Sequence, residues 1–189
     1  MKKLTIALVA VAMGIAANAA SYTWSCTSGR VFDGEGGTTY ASVAGQTAYL
    51  MFASVLSQAD LVSGFNTAGS VSAYTSTVEG KAISTAVLNA NARIDGTAAS
   101  STVTADQTAY FVVFANDKMY VSSETTAPYL AVGTANVTFS SQSTPSKTTL
   151  DAASGYTGAG WYAASVPEPT SGLLMLLGVA GLALRRKRA

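Results

Sequence analysis

Along Tyr22, Thr23, Trp24, Ser25, Cys26 and Thr27, large apolar and small hydroxylated side chains alternate one by one. Ala135, Val137 and Phe139 alternate in the same way with Asn136, Thr138 and Ser140. A repeat of this kind puts the two sets on opposite faces of an extended chain, so both segments are predicted to be half-buried strands. Residues 47–55 and 108–115 are instead nearly continuous in apolar side chains, with the aromatic and β-branched bias of strands covered on both faces. Asn116-Asp117-Lys118 then parts the second run from residues 119–123, which predicts a tight hairpin. Serine and threonine make up 42 of the 147 residues between Ala20 and Val166, and glutamate and lysine are scarce, a composition that suits hydroxylated strands and disfavours surface helices. The fold expected is all-β: an antiparallel, jelly-roll-like β-sandwich.

Two segments are ambiguous. Residues 57–65 and 82–94 carry alanine, leucine and valine at spacings that a short helix uses, and a helical turn or short helix is allowed in that region. Residues 34–39, 96–102 and 140–154 read as loops. Gln46-Thr47-Ala48-Tyr49 recurs as Gln107-Thr108-Ala109-Tyr110, an echo compatible with two related halves or with chance in a low-diversity chain.

The chain contains no histidine, so a Ser-His-Asp triad, a Cys-His pair and a His-ligated metal site are excluded by inventory. Charged residues are 11% of the chain against a usual value of about 25%, and the formal net charge is +1, which argues against a nucleic-acid partner. A length of 189 residues suits one folded domain.

The ends are built differently from the middle. Lys2 and Lys3 precede an apolar run over residues 4–17, and Ala17-Asn18-Ala19 offers signal peptidase a small-x-small exit, so residues 1–19 are read as a secretory signal peptide cut after Ala19. The other reading of this run is a buried N-terminal helix. At the far end Val166-Pro167-Glu168-Pro169 leads into an apolar stretch over residues 172–184 and then Arg185, Arg186, Lys187 and Arg188. A helix from Pro169 to Leu184 is about 24 Å long, short for a bilayer span but able to insert. The cationic residues at both extremes are retained in the cytoplasm, so the segment between them is translocated. That segment, residues 20–165, has five basic and nine acidic side chains and a net charge of −4.

The order of Pro167-Glu168-Pro169, membrane helix and terminal arginines resembles the PEP-CTERM sorting signal of Gram-negative bacteria, also known as an ice-binding-protein C-terminal domain. The resemblance covers the tail and the bipartite precursor layout, which divides the chain into 1–19, a secreted body at 20–165 and a sorting signal at 166–189. It implies handling by signal peptidase and the export machinery, transient anchoring in the inner membrane, and cutting by an exosortase-type protease. It also implies a destination at the cell surface or in the extracellular matrix, with exopolysaccharide as a companion. A plain uncut membrane anchor is the alternative reading of the same tail.

The function expected of the body is structural or adhesive, with no catalysis and no cofactor or metal. A carbohydrate-binding or glycan-active module is the alternative, in which Trp161 or Tyr162 stacks on a sugar ring, against the plainer reading of both as core residues of a final strand. Nine acidic residues leave a glycosidase pair open, though none has a distinguishing context. Cys26 shares a face with Tyr22 and Trp24 and reads as a small buried hydrophobe rather than a reactive thiol. Asp33-Gly34-Glu35-Gly36-Gly37 reads as a solvated turn rather than a calcium loop, which needs six to eight oxygen ligands. Ice binding calls for threonine ladders at a steady interval, whereas Thr-x-Thr occurs only at Thr75/Thr77 and Thr102/Thr104. Asn136-Val137-Thr138 fits an N-glycosylation acceptor or ordinary strand sequence, and the hydroxyl-rich stretch 140–149 suits O-linked sugar.

Overall fold

In the computed structural model, which describes residues 20–33, 39–140 and 149–165, the first alternating segment is β1 (Ala20–Ser28). Ala20, Tyr22, Trp24 and Cys26 are buried, and the hydroxylated residues between them face outward. The second is β8 (Thr134–Ser140), with Ala135, Val137 and Phe139 buried. β1 lies between β8 and β4 (Ile94–Ser101) in a three-stranded sheet.

A larger sheet packs against this one. Its order is β3 (Ser84–Val87), β2 (Thr47–Phe52), β5 (Gln107–Ala115), β6 (Lys118–Val121), β10 (Gly160–Ala163) and β9 (Leu150–Asp151), and β7 (Thr125–Ala127) pairs with the start of β5. Between the sheets lies an aromatic core in which Phe111 touches Trp24, Tyr120 and Phe139. On the other side of the large sheet, Tyr49, Met51, Tyr110, Val112 and Phe114 pack against α1 (Gln58–Ala68) and α2 (Val71–Glu79). β2 and β5 are thus covered twice, which is why their sequences run apolar without alternation. The architecture is mostly β-sheet and sandwich-like, with two short helices as a third layer.

The antiparallel, jelly-roll-like expectation is corrected in one respect. β1 pairs with β8 in parallel, and β10 with β9 in parallel. Period-two burial is the same for either strand direction, so the alternation carried no information on this point. The hairpin is confirmed: Asn116 and Asp117 form a two-residue turn between β5 and β6 at φ 50° and 56°, the left-handed geometry of a type I′ turn. The sequence echo falls on β2 and β5, which lie side by side with Tyr49 opposite Val112 and Met51 opposite Tyr110. β2 leads into α1 whereas β5 leads into a hairpin, so the two copies do not head equivalent halves.

The helix allowed near residues 57–65 is α1, begun by Ser57, whose hydroxyl accepts the Asp60 N–H at 3.1 Å, and ended by Gly69 at φ 71°. Residues 82–94 hold β3 and a turn instead of a helix. The Asn89 side-chain oxygen accepts the N–H groups of Asn91 and Arg93 and draws the chain round before β4. No helix among the described residues is long and apolar enough to cross a membrane. The two helices expected at the termini lie outside those residues.

Burial also bears on alkaline stability. Tyr120 is buried between the sheets, and Tyr110 on the helix side donates its hydroxyl proton to the Leu56 carbonyl at 2.6 Å. Burial holds both phenols protonated well above the ordinary tyrosine range. The folded state resists ionisation that the unfolded chain permits, so their contribution is flat below about pH 10 and is lost as pH rises above it. Each of these two tyrosines is expected to cost about 1.4 kcal/mol per pH unit beyond that point, read as a falling urea midpoint between about pH 9 and about pH 12.

Candidate functional site

The last described strand decides how the body meets the rest of the chain. In β10, Trp161 points into the core between the sheets, stands 5.4 Å from the Tyr120 ring, and donates its Nε1–H to the Phe32 carbonyl at 2.5 Å. Tyr162 faces the helical side. Its hydroxyl donates to the Gly158 carbonyl at 2.6 Å and accepts the N–H groups of Thr157 and Gly158. The relative exposures are 1% and 0%, so the reading of Trp161 and Tyr162 as sugar-stacking platforms is corrected: each ring is enclosed by one of the two cores.

Beyond β10, Ala164 still packs against the helix-side core. Ser165 is then held from two directions. Its N–H donates to Asn66 Oδ1 at 3.0 Å, and its hydroxyl donates to Asp151 Oδ1 at 3.2 Å. Asn66 is on α1, and Asp151 closes β9 while accepting the Ala153 N–H at 2.9 Å. Ser165 itself is exposed, a clamped residue at the surface.

The two ends of the body lie apart. Ala163 is opposite Lys118, which is opposite Ala115, so the chain leaves beside the β5–β6 hairpin. At the other end Tyr22 meets Phe52, which pairs with Ala109. Six residues of strand separate those levels on β5, about 20 Å at 3.3–3.4 Å per residue.

The other candidates do not assemble with this junction. Cys26 is fully buried. One Asp33 carboxylate oxygen accepts the hydroxyls of Thr39 and Ser42, and residues 34–38 lie outside the described part. Thr75 and Thr77 are on α2, with the Thr75 hydroxyl bonded back to the Val71 carbonyl, and Thr102 and Thr104 follow β4. Asn136 and Thr138 face outward on β8. Among the described residues no three His, Cys, Asp or Glu side chains gather in a metal-binding group.

One feature escaped the sequence reading. A shallow depression of about 470 Å³ is lined by Ser21, Thr23, Ser84, Ser100 and Thr134, with Ile83 as an apolar wall. Ser84 is fixed there, accepting the Trp24 indole N–H at 3.3 Å and donating to the Ala98 carbonyl at 3.0 Å. Its lining is drawn from β1, β3, β4 and the start of β8, so no local motif announces it.

Residues 165–188 match the model of the PEP-CTERM protein-sorting motif. The chain carries a PEP-CTERM sorting signal. Comparison with curated proteins and with solved structures returned no match. The PEP-CTERM match starts at Ser165, the residue held by Asn66 and Asp151. A PEP-CTERM signal marks an exported protein that is anchored transiently in the membrane and sorted by an exosortase-type protease. The sorting residues Val166, Pro167, Glu168 and Pro169, the basic cluster Arg185, Arg186, Lys187 and Arg188, and the signal-peptidase residues Ala17 and Ala19 lie outside the described residues.

Proposed function

We propose that this protein is a structural or adhesive component of the cell surface or extracellular matrix, made as a precursor of signal peptide (1–19), folded body (20–165) and sorting tail (166–189). The PEP-CTERM match carries the reading, and the outward-facing hydroxyls of β1 and β8 give the body a neutral, hydrated face suited to a surface role. Intact-mass measurement of the protein from its native host tests it. The expected product starts at Ala20 and lacks Arg185, Arg186, Lys187 and Arg188, and any attached sugar adds its own mass. A product that keeps those four residues defeats the processing part of the reading.

A second reading is binding of a neutral glycan, favoured by the hydroxyl-lined depression rather than by Trp161 or Tyr162. Its lining supplies donors and acceptors without charge, which fits a sugar and not an anionic polymer.

A further inference from the structure

We infer that β8 is an assembly edge, on which a second copy of this chain adds its own β8 antiparallel about a two-fold axis at Val137. Among the described residues β8 pairs with β1 alone, and no loop backbone bonds to its outer side. Alternate residues of a strand turn their N–H and C=O groups to the same side, so about half of its seven residues present both groups outward. Natural sheet edges are kept from joining others by shortness, charge, proline or bulges. The other three edges carry such devices. β3 has four residues and β9 two. β4 carries Asp95 and Gly96, its register against β1 breaks between Trp24 and Cys26, and the Ser84 hydroxyl donates to its Ala98 carbonyl. β8 holds seven residues without charge, proline or glycine, and it stays in register with β1 from Thr134 to Thr138.

The strand is also complementary to itself. Side chains must keep their faces, so only registers that set buried positions opposite buried positions are open. The one that uses the whole strand places Val137 opposite Val137, Asn136 opposite Thr138, Ala135 opposite Phe139 and Thr134 opposite Ser140. No charge meets a like charge, an amide faces a hydroxyl, and the small Ala135 adjoins the large Phe139. The pairing forms about six to eight backbone hydrogen bonds and joins two three-stranded sheets into one. A second observation favours a protein occupant. Of the four large apolar side chains exposed among the described residues, Leu130 at 42% and Val132 at 89% lie in the segment that leads into Thr134. The two-fold axis sets that segment beside Ser140 of the second copy, so an apolar flank closes each end of the joined strands.

The test is sedimentation of the protein, purified from its native host in the form that host yields, over a concentration series. The wild type is expected to reach twice the monomer mass. Asn136→Lys combined with Thr138→Lys sets lysine opposite lysine at both symmetry-related pairs and is expected to weaken the dimer about tenfold or more. Asn136→Asp combined with Thr138→Asp is expected to do the same by itself. An equal mixture of the two variants is expected to regain a dimer at least as tight as the wild type, which misfolding would not produce. Both positions are exposed, so the fluorescence of Trp24 and Trp161 should not change. A wild type that stays at monomer mass throughout overturns the inference. A dimer that the lysine pair leaves intact, or a mixture that fails to associate, overturns it as well. A complex with a different protein, lost on the lysine substitutions, overturns the second copy as the occupant.

Discussion

Replacing Trp161 with alanine is expected to destabilise the body by about 3–5 kcal/mol, the usual cost of emptying a buried tryptophan site. The indole is nearly fully enclosed, packs on Tyr120, and donates to Phe32, a residue 129 positions earlier in the chain. Its removal opens a cavity between the sheets and leaves the Phe32 carbonyl without that donor. Total stabilities of domains are about 5–15 kcal/mol, so one substitution consumes a large part of the margin. Urea denaturation of the mature protein gives the comparison directly. A variant that kept its stability but lost retention by polysaccharide would reinstate Trp161 as a sugar contact and contradict its placement in the core.

Changing Pro167, Glu168 and Pro169 together to alanine is expected to abolish processing, leaving a membrane-associated chain with an intact carboxyl terminus. The substitutions remove both prolines and the acidic group of the motif, while the apolar stretch and basic cluster, the proposed membrane anchor, are kept. Folding of the body should be untouched, because β10 and the Ser165 clamp precede the altered positions. Membrane fractionation with intact-mass analysis checks both points. Release of a tail-free product from this variant would show that the matched motif does not direct the cut.

The parts of the fold that were legible in the residues are those with local causes. Asn116-Asp117 announced a hairpin because a type I′ turn needs two positive φ values, which asparagine and aspartate tolerate better than most residues. The burial of Trp24 and Val137 followed from alternation, and the double coverage of β5 from its unbroken apolar run. α2 gave no such signal. Its sequence is rich in Val, Ser, Thr and Tyr, mediocre helix formers, and it is held by the Ser70 cap and by Tyr74 and Val78 packing on the large sheet. Trp161 and Tyr162 were open to two readings because an aromatic pair in a strand has the same local pattern whether a layer covers it or water does.

From the residues alone came the PEP-CTERM motif, the lack of histidine, and the inward and outward faces of the main strands, since each depends on side-chain type and near-neighbour spacing. Tertiary structure decided the parallel pairing of β1 with β8, the enclosure of Trp161, the hydroxyl-lined depression, and the capture of Ser165 by Asn66. Those features join residues from 60 to 129 positions apart, at Trp24 and Ser84, at Asn66 and Ser165, and at Phe32 and Trp161. Periodicity reports which side of a strand avoids water, but only packing selects the partner that covers it.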